Sequence, residues 1–351
     1  MTSGFATVLA ASEQDRRDLF AATAHRFGTA EQNVEKDFWV CWTLDALFKG
    51  TGKDGPRLLF KGGTSLSKAF GLIARFSEDI DVTVFREDLG QAASVDELEA
   101  LSGKKRRARL DAIKTVCQAY VCGAMRDGLR RLLEESLEEA GIGRAKGRIE
   151  IDAGDPDRQS LLLWYPAVTI SVDGGYVRPA VKIESGAKSA LDPHHAVVVK
   201  PYIADEATDL DLSVPGVTTV DPERTFWDKV IILHGLRRWF ERRRVLRGGG
   251  QRVSRHYYDV HCLLGSEVGE RALADRRLAV DCARHARMFF NSVDLDLATA
   301  EPGTFGLVPA AEMVEPLRQD YEAMAGMIFG QVPAFNVVME SLKKLEERVN
   351  G

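Results

Sequence analysis

The sequence is poor in cysteine and has no long hydrophobic run. Its 351 residues include five cysteines, an odd number scattered along the chain: Cys41, Cys117, Cys122, Cys262 and Cys282. Because none of them forms a Cys-x-x-Cys pair with a partner pair, the sequence disfavours a zinc site and a disulfide framework. Such cysteine usage fits a reducing compartment. No apolar stretch approaches membrane-spanning length and no signal peptide is visible, so we expect a cytoplasmic protein with no membrane partner.

The chain also lacks the overall positive charge of a protein coated for nucleic-acid binding. Its formal net charge is −5, although basic residues are concentrated in two segments, 104–109 and 237–247. The second segment also contains Trp239 and Phe240. Arginines beside aromatic rings can grip a phosphate backbone and stack on bases, but a basic helix segment is equally well explained as a solvated face. Both interpretations stay open.

A glycine pair followed by two closely spaced acids is the most informative pattern in the chain. Gly62-Gly63 follow the apolar residues 58–60, and Asp79 and Asp81 open a second apolar segment. Residues two apart in a strand point to the same side, so the two carboxylates are expected side by side. Such carboxylates repel each other, and a divalent cation removes that penalty. Mg²⁺ is the expected cation because it prefers oxygen ligands and bridges carboxylates to substrate phosphates.

The residues that follow the glycines suit a bound anion. Glycine lets the backbone approach a phosphate without a Cβ in the way, and Thr64 and Ser65 add hydroxyl groups. On its own, an Asp-x-Asp sequence is more typical of a surface turn or a cap. Combined with the upstream glycines and an attached apolar strand, it predicts a site for a metal ion and a nucleotide.

Gly-Gly-Thr-Ser followed by Asp-x-Asp resembles the signature of the nucleotidyltransferase superfamily, which has the polymerase-β-like fold. The longer stretch over residues 61–81 resembles the AbiEii family of nucleotidyltransferase toxins, which includes the MenT-type toxins. Segments 34–40, 181–184, 222–229 and 255–259 resemble further motifs of that family, in the expected order. The resemblance implies an α/β (α+β) fold, with a nucleotidyltransferase-like mixed sheet flanked by helices and a helical C-terminal lobe.

The resemblance also implies which residues form the site. The metal ligands are expected to be Asp79, Asp81 and Glu184. The catalytic residues are expected to be these three acids together with Lys182 and Asp228. The residues expected to bind the nucleotide, through backbone, hydroxyl groups or positive charge, are Lys61, Gly62, Gly63, Thr64, Ser65, Lys68, Lys229 and Arg255.

Without the resemblance, several of these residues have plainer explanations. Lys182 and Glu184 alternate with apolar residues and would form a solvated strand face carrying an ion pair. Lys68 would be an exposed helix lysine. Arg255 and Asp259 lie four apart on one predicted helix, where an internal salt bridge is as well supported as a substrate contact.

The residue pattern changes from mixed α/β to helical near residue 215. We expect a nucleotidyltransferase α/β domain at 1–215 and a helical C-terminal domain at 216–351. His194-His195 is interpreted as a turn rather than a metal site, and His234 as a packing or hydrogen-bonding residue within a helix. Strands are predicted at 58–60, 80–85, 148–151, 161–165, 177–184, 196–199 and 217–220. One or two helices are predicted within 94–140, and single helices at 11–28, 30–49, 65–73, 222–246, 254–265, 275–291, 309–329 and 334–349.

The resemblance implies a toxin of a toxin–antitoxin system that transfers a nucleoside monophosphate from an NTP to an acceptor hydroxyl and releases pyrophosphate. A tRNA 3′ end is the implied acceptor, growth arrest the outcome and phage defence the setting. The nucleotide is left open, with CTP among the candidates. A cognate AbiEi-like antitoxin is expected to be encoded nearby. The alternatives are a nucleotidyltransferase that modifies a protein or an antibiotic-type small molecule, and a non-catalytic nucleotide-binding module.

Overall fold

The computed structural model describes residues 3–50, 55–169, 178–250 and 252–351. Within these residues a mixed seven-stranded sheet is flanked by helices, and the chain after the last strand is helical, so the predicted fold class is confirmed. The first residue of the strand predicted at 177–184 is Val177, which lies outside the described residues.

The sheet combines parallel and antiparallel neighbours, which is why it is mixed. Its strands are β1 (Leu58–Lys61), β2 (Asp79–Val84), β3 (Arg148–Ile151), β4 (Ser160–Trp164), β5 (Ala180–Gly186), β6 (His194–Val199) and β7 (Val214–Val220). Their spatial order is β3-β4-β5-β2-β1-β7-β6, so the strand that carries the two predicted acids lies in the middle.

The register of the central strands brings charged residues from three strands together. Strand β1 runs antiparallel to β2, with Lys61 opposite Asp81. Strand β5 runs parallel to β2, with Asp79 opposite Lys182 and Asp81 opposite Glu184. Alternation along β2 buries its apolar residues and leaves both acids partly accessible on the other face.

The helices of the described residues are between six and 22 residues long. They are α1 (Ser3–Ala10), α2 (Glu13–Phe27), α3 (Glu31–Asp45), α4 (Gly62–Lys68), α5 (Val95–Ala100), α6 (Gly103–Tyr120), α7 (Arg126–Glu139), α8 (Pro222–Arg243), α9 (Ser254–Leu264), α10 (Glu267–Ala274), α11 (Arg276–Phe289), α12 (Ala311–Met324) and α13 (Phe335–Asn350).

Several details differ from the sequence-based prediction. Helix α4 begins directly after β1 rather than at Ser65, and it ends at Lys68 rather than at Ile73. Helices α1 and α10 were missed because each has only eight residues, too few to give a clear apolar period. The turn predicted at His194-His195 is wrong, since these residues open strand β6.

Helix α3 is buried along nearly its whole length. Phe38, Trp39 and Trp42 are each no more than 1% exposed, and the Trp39 ring stacks on Tyr165 with ring centroids 5.2 Å apart. The same helix also buries three consecutive charged residues, 35–37. Burying a charge is costly unless it is paired, so these three side chains need partners inside the fold.

The chain divides into two compact units. One comprises Met1–Ala69, Phe76–Ala92 and Arg107–Thr219, and contains most of the sheet. The other comprises Phe70–Arg75, Ala93–Arg106 and Val220–Gly351, and is helical. The domain boundary expected between residues 215 and 216 stays a prediction. Among the described helices, none is both long enough and apolar enough to cross a membrane.

His234 on α8 is a buried histidine of the second unit, as expected for a packing residue. Its Nδ1 accepts a hydrogen bond from the Gly306 N–H at 3.0 Å, and its Nε2 lies 3.1 Å from the Thr299 hydroxyl. Burial lowers the pKa of His234 from 6.5 to about 4. Protonating Nδ1 would also remove the acceptor that Gly306 uses.

This pKa predicts an acid-sensitive step in stability. The unfolded chain takes up a proton on His234 near pH 6.5, while the folded protein does so near pH 4. Stability should therefore fall by about 3 kcal/mol as the pH drops through this window. Urea denaturation of wild type and His234→Asn across this pH window measures the effect. The variant should lose the part of the decrease in stability with falling pH that His234 causes. The exposed His195→Asn serves as control, and an equal slope in all three proteins would contradict the assignment.

Candidate active site

Gly62 lies directly against the Asp81 side chain in the predicted site. Gly62 has a φ of +82°, which only glycine adopts without strain, and a Cβ placed there would lie 2.1 Å from Asp81 Oδ2. No other residue type therefore fits beside the Asp81 carboxylate. Lys61, the last residue of β1, has its Nζ 3.9 Å from Asp81 Oδ1. Backbone, carboxylate and ammonium thus meet at one point.

Thr64 connects the glycine-led helix to the strand of acids. Its hydroxyl is buried, lies 2.7 Å from the Ser77 Oγ and donates to the carbonyl oxygen of Asp79. The buried Ser65 hydroxyl donates to the Gly62 carbonyl at 2.9 Å. These bonds favour a structural role for both hydroxyl groups over the expected triphosphate contact.

Strand β5 adds a cation held between two carboxylates. Lys182 Nζ lies 2.8 Å from Glu184 Oε1 and 3.4 Å from Asp152 Oδ2. Partial burial alone would lower the pKa of Lys182, but the two carboxylates raise it above its ordinary value. Lys182 is therefore charged at physiological pH. The sequence interpretation missed Asp152, whose only sequence signal is that it directly follows β3.

The acids were expected to form a three-ligand metal set. Among the residues that the structure describes, no three His, Cys, Asp or Glu side chains are grouped so that they could hold a metal ion. Glu184 contacts Lys182 instead, and its metal role stays a prediction. Asp79 and Asp81 still suit Mg²⁺, which commonly uses one or two protein carboxylates and completes its shell with water and substrate phosphates.

Lys68 was expected to reach a phosphate, but its side chain is only 3% exposed. Its Nζ lies 2.7 Å from Asp37 Oδ1 and 3.6 Å from the centroid of the Tyr202 ring. Because this ammonium group already has a buried anion and an aromatic ring, the geometry favours a structural role. Its phosphate contact stays a prediction, and the alternative, an exposed helix lysine, is wrong.

Three more predicted site residues belong to the second compact unit. Lys229 is buried, with its Nζ 2.7 Å from Asp259 Oδ2. Asp228 is partly exposed and lies 3.5 Å from Arg224, while the Arg255 Nε is buried without a hydrogen-bond partner. Their nucleotide and catalytic roles stay predictions, and the burial of Lys229 favours a structural one.

Asp259 does not form the internal salt bridge considered with Arg255. Its carboxylate accepts two hydrogen bonds from Arg75, at 2.7 and 2.8 Å, in addition to the contact with Lys229. Burial would raise the pKa of Asp259, but the charges of Arg75 and Lys229 overcome this and hold the pKa below its ordinary value. The aspartate therefore stays ionised and joins two cations from distant parts of the chain.

The basic segment 237–247 has partners for several of its charges. Arg237 and Arg238 pair with Glu241 within the helix, and Arg243 pairs with Asp294. The Arg243 and Arg247 guanidinium groups lie 5.8 and 5.7 Å from the centroid of Trp239. These contacts suit a solvated helix end and leave the RNA interpretation open as well.

Comparison with known proteins gives the family. The model of the family described as "Nucleotidyl transferase AbiEii toxin, Type IV TA system" matches residues 45–346. The chain therefore belongs to the AbiEii family of nucleotidyltransferase toxins. Among solved structures it is similar to MenT4, the nucleotidyltransferase toxin Rv2826c from Mycobacterium tuberculosis H37Rv, with 16% identity, a TM-score of 0.49, and coverage of 95% of this chain and 89% of that chain. No curated protein matches the chain.

The predicted family is thus confirmed. The chain is a nucleotidyltransferase toxin of a type IV toxin–antitoxin system, and this membership implies an NTP substrate and an antitoxin partner.

The contact between Gly62 and Asp81 gives a mutational test. Gly62→Ala adds backbone strain of about 1–2 kcal/mol and a Cβ that displaces the Asp81 carboxylate. We expect a lower urea midpoint and nucleotidyl transfer reduced by on the order of 100-fold. Gly28→Ala is the matched control, because Gly28 also has a positive φ of +63° but open space around it. Gly28→Ala should lower the urea midpoint but keep nucleotidyl transfer. Equal transfer activity in Gly28→Ala and Gly62→Ala would contradict the assignment.

The buried contacts of Asp259 with Arg75 and Lys229 predict that removal of the Asp259 charge strongly lowers the free energy of unfolding. Asp259→Asn leaves Arg75 and Lys229 buried without their anion, which should cost about 3–5 kcal/mol in unfolding free energy. Denaturation by urea measures this loss. Asp294→Asn, which removes the acid of an exposed pair, is the control and should leave the midpoint unchanged. An unchanged midpoint in Asp259→Asn would show that the cluster is not structural.

Proposed function

We propose that this toxin transfers a nucleoside monophosphate from an NTP to an RNA hydroxyl, with a tRNA 3′ end as the acceptor, in a reaction that depends on Mg²⁺. Pyrophosphate is released, and loss of usable tRNA arrests growth in the cytoplasm. An AbiEi-like antitoxin encoded nearby counteracts the toxin, and phage defence is the biological setting.

The observation that carries the proposal is the placement of Asp79 and Asp81 on one face of β2, directly beside Gly62. Alternation along the strand puts both carboxylates on the same side. The glycine leaves the space next to Asp81 free of a side chain. A phosphate chain placed against the glycine backbone would thus lie next to two anionic oxygens, an arrangement that requires a cation between them.

Mg²⁺ fits this donor set, since both side chains offer hard oxygen ligands. When bound, Mg²⁺ would neutralise phosphate charge and stabilise the oxygens that attack and leave. Lys61 and Lys182 supply the positive charge of the protein itself. Both ammonium groups are partly accessible, at 29% and 32%, in contrast to the buried Lys68.

In the proposed reaction the acceptor hydroxyl oxygen forms a bond to the α-phosphorus of the NTP. The bond from that phosphorus to the bridging oxygen of the β-phosphate breaks, and pyrophosphate leaves with the electron pair. The hydroxyl proton is taken by a carboxylate, for which Glu184 is the candidate because its side chain is partly exposed beside Lys182. Lys182 stabilises the charge that develops on the phosphates.

The basic segment 237–247 is the proposed contact for the RNA backbone. Arginine side chains surround the partly exposed Trp239 there, whereas Phe240 is buried, and such groups bind phosphates and stack on bases without requiring a particular sequence. On binding, RNA phosphate oxygens would replace the carboxylates of Glu241 and Asp294 as partners of the arginines. RNA binding should therefore weaken as the salt concentration rises.

A labelled-nucleotide assay tests the proposal. The purified toxin is incubated with Mg²⁺, each α-labelled NTP in turn, and total RNA, total protein or a small-molecule panel. We expect label on RNA of tRNA size. Asp79→Asn and Asp81→Asn should each lower transfer by on the order of 100-fold or more, because each removes a charge that stabilises the reacting groups.

Glu150→Gln is the matched control, because Glu150 is an exposed acid of edge strand β3 in the same sheet and bonds to Arg148 and Trp164. It should keep full activity, and all variants should keep the wild-type circular dichroism spectrum. Wild-type transfer in both aspartate variants would overturn the assignment of the site. Label found only on protein or on a small molecule would overturn the RNA acceptor.

A further inference from the structure

We propose that Lys36 and Asp37, adjacent residues of α3, are positioning residues for the reaction: they hold the strand of acids and the glycine-led helix at a fixed spacing. The inference deepens the proposed function and rests on it, because it assigns residues that act through Asp79 and Asp81. Neither residue was given a role by the sequence patterns, and both lie before the segment that the family model matches.

Lys36 holds the strand of acids. Its Nζ lies 2.6 Å from Glu78 Oε2, and the two side chains are only 4% and 8% exposed. Glu78 is the residue directly before Asp79, at the point where β2 begins. A strong, buried, charge-assisted contact at this residue restrains the backbone that carries the first metal-binding candidate.

Asp37 holds the glycine-led helix. Its Oδ1 lies 2.7 Å from Nζ of Lys68, the last residue of α4, and both side chains are 3% exposed. The other carboxylate oxygen accepts the backbone N–H of Tyr202 at 2.6 Å, so the aspartate is itself fixed in orientation. Because Asp37 follows Lys36 directly, one turn of α3 restrains both elements that meet at the site.

A third contact closes the connection between these elements. The Thr64 hydroxyl of α4 contacts the Ser77 hydroxyl and donates to the Asp79 carbonyl. Residues 77, 78 and 79 are therefore each held by a side chain from α4 or α3. These contacts hold α4 and β2 at a fixed separation. They thereby hold Gly62 against Asp81, where there is no room for a Cβ.

Stability alone gives little reason to keep such charges in the core. Replacing a buried ion pair by apolar residues of similar volume is often neutral or stabilising, because the charges lose their hydration. Two oppositely charged groups do, however, have a sharply defined best geometry, which apolar contacts lack. The Lys36–Glu78 pair is therefore better explained by precise placement of the start of β2 than by a contribution to the free energy of folding.

The test separates placement from stability. Lys36→Met/Glu78→Leu removes both charges and keeps the volume, so the urea midpoint should equal or exceed that of wild type. We expect kcat for nucleotidyl transfer to fall on the order of tenfold or more, with little change in KM for the NTP. Binding of Mn²⁺ in the presence of NTP, followed by electron paramagnetic resonance, should weaken in parallel, which gives a readout independent of turnover.

The control is the ion pair between Arg57, which directly precedes β1, and Asp88, which lies in the turn after β2, with an Nε–Oδ2 distance of 2.9 Å. Arg57→Gln/Asp88→Asn should leave kcat and Mn²⁺ binding unchanged. If the apolar double variant does not fold, Glu78→Asp replaces it: this change keeps the charge but shortens the side chain, and kcat should again fall on the order of tenfold.

The possible results separate the positioning role of Lys36 from the proposed nucleotidyl transfer. Wild-type kcat and Mn²⁺ binding in a folded Lys36→Met/Glu78→Leu protein, alongside an inactive Asp81→Asn, would overturn the positioning role alone. Wild-type kcat in Glu78→Asp would do the same. If the wild-type protein transfers no nucleotide, the proposed function fails, and Mn²⁺ binding decides the positioning role.

Discussion

The approach of the Gly62 backbone to the Asp81 carboxylate is the constraint on which the site depends. The space between them does not admit a Cβ, and Gly62 has a φ that other residues avoid. This contact lets β1 pass into α4 directly beside the acids of β2. It also leaves a surface of backbone next to two carboxylates, with partly accessible lysines on the neighbouring strands. A nucleotidyltransferase needs this combination to bring a polyanionic substrate and a cation together.

Buried ion pairs engage several of the residues that were predicted to belong to the site. In the unit that contains the sheet, Lys68 neutralises Asp37 inside the core. In the helical unit, Lys229 and Arg75 share Asp259. Each cation is taken out of water, and so requires its anion. Burial and ion pairing favour a structural role for Lys68 and Lys229, whereas Lys61 and Lys182 stay partly accessible.

The sequence predicted the parts of the site that depend on local periodicity. Alternation of acidic and apolar residues along β2 fixed the side on which Asp79 and Asp81 lie, and the glycine pair marked where side chains are absent. It could not predict which buried charges pair, since Arg75 and Asp259 are 184 residues apart and Lys68 and Asp37 meet only through the packing of α4 and α3. The short helices α1 and α10 were missed for a similar reason, because tertiary packing rather than local pattern stabilises them.

Asp79 and Asp81 are proposed to share a divalent cation with the phosphates of an NTP beside Gly62. Crystals of the protein grown with Mn²⁺ and an NTP analogue that cannot transfer its nucleotide test it directly, through anomalous scattering from the manganese. We predict an anomalous peak within coordination distance of both carboxylates, with phosphate oxygens completing the shell. Ordered nucleotide phosphates bound elsewhere, with no manganese on either carboxylate, would contradict the account.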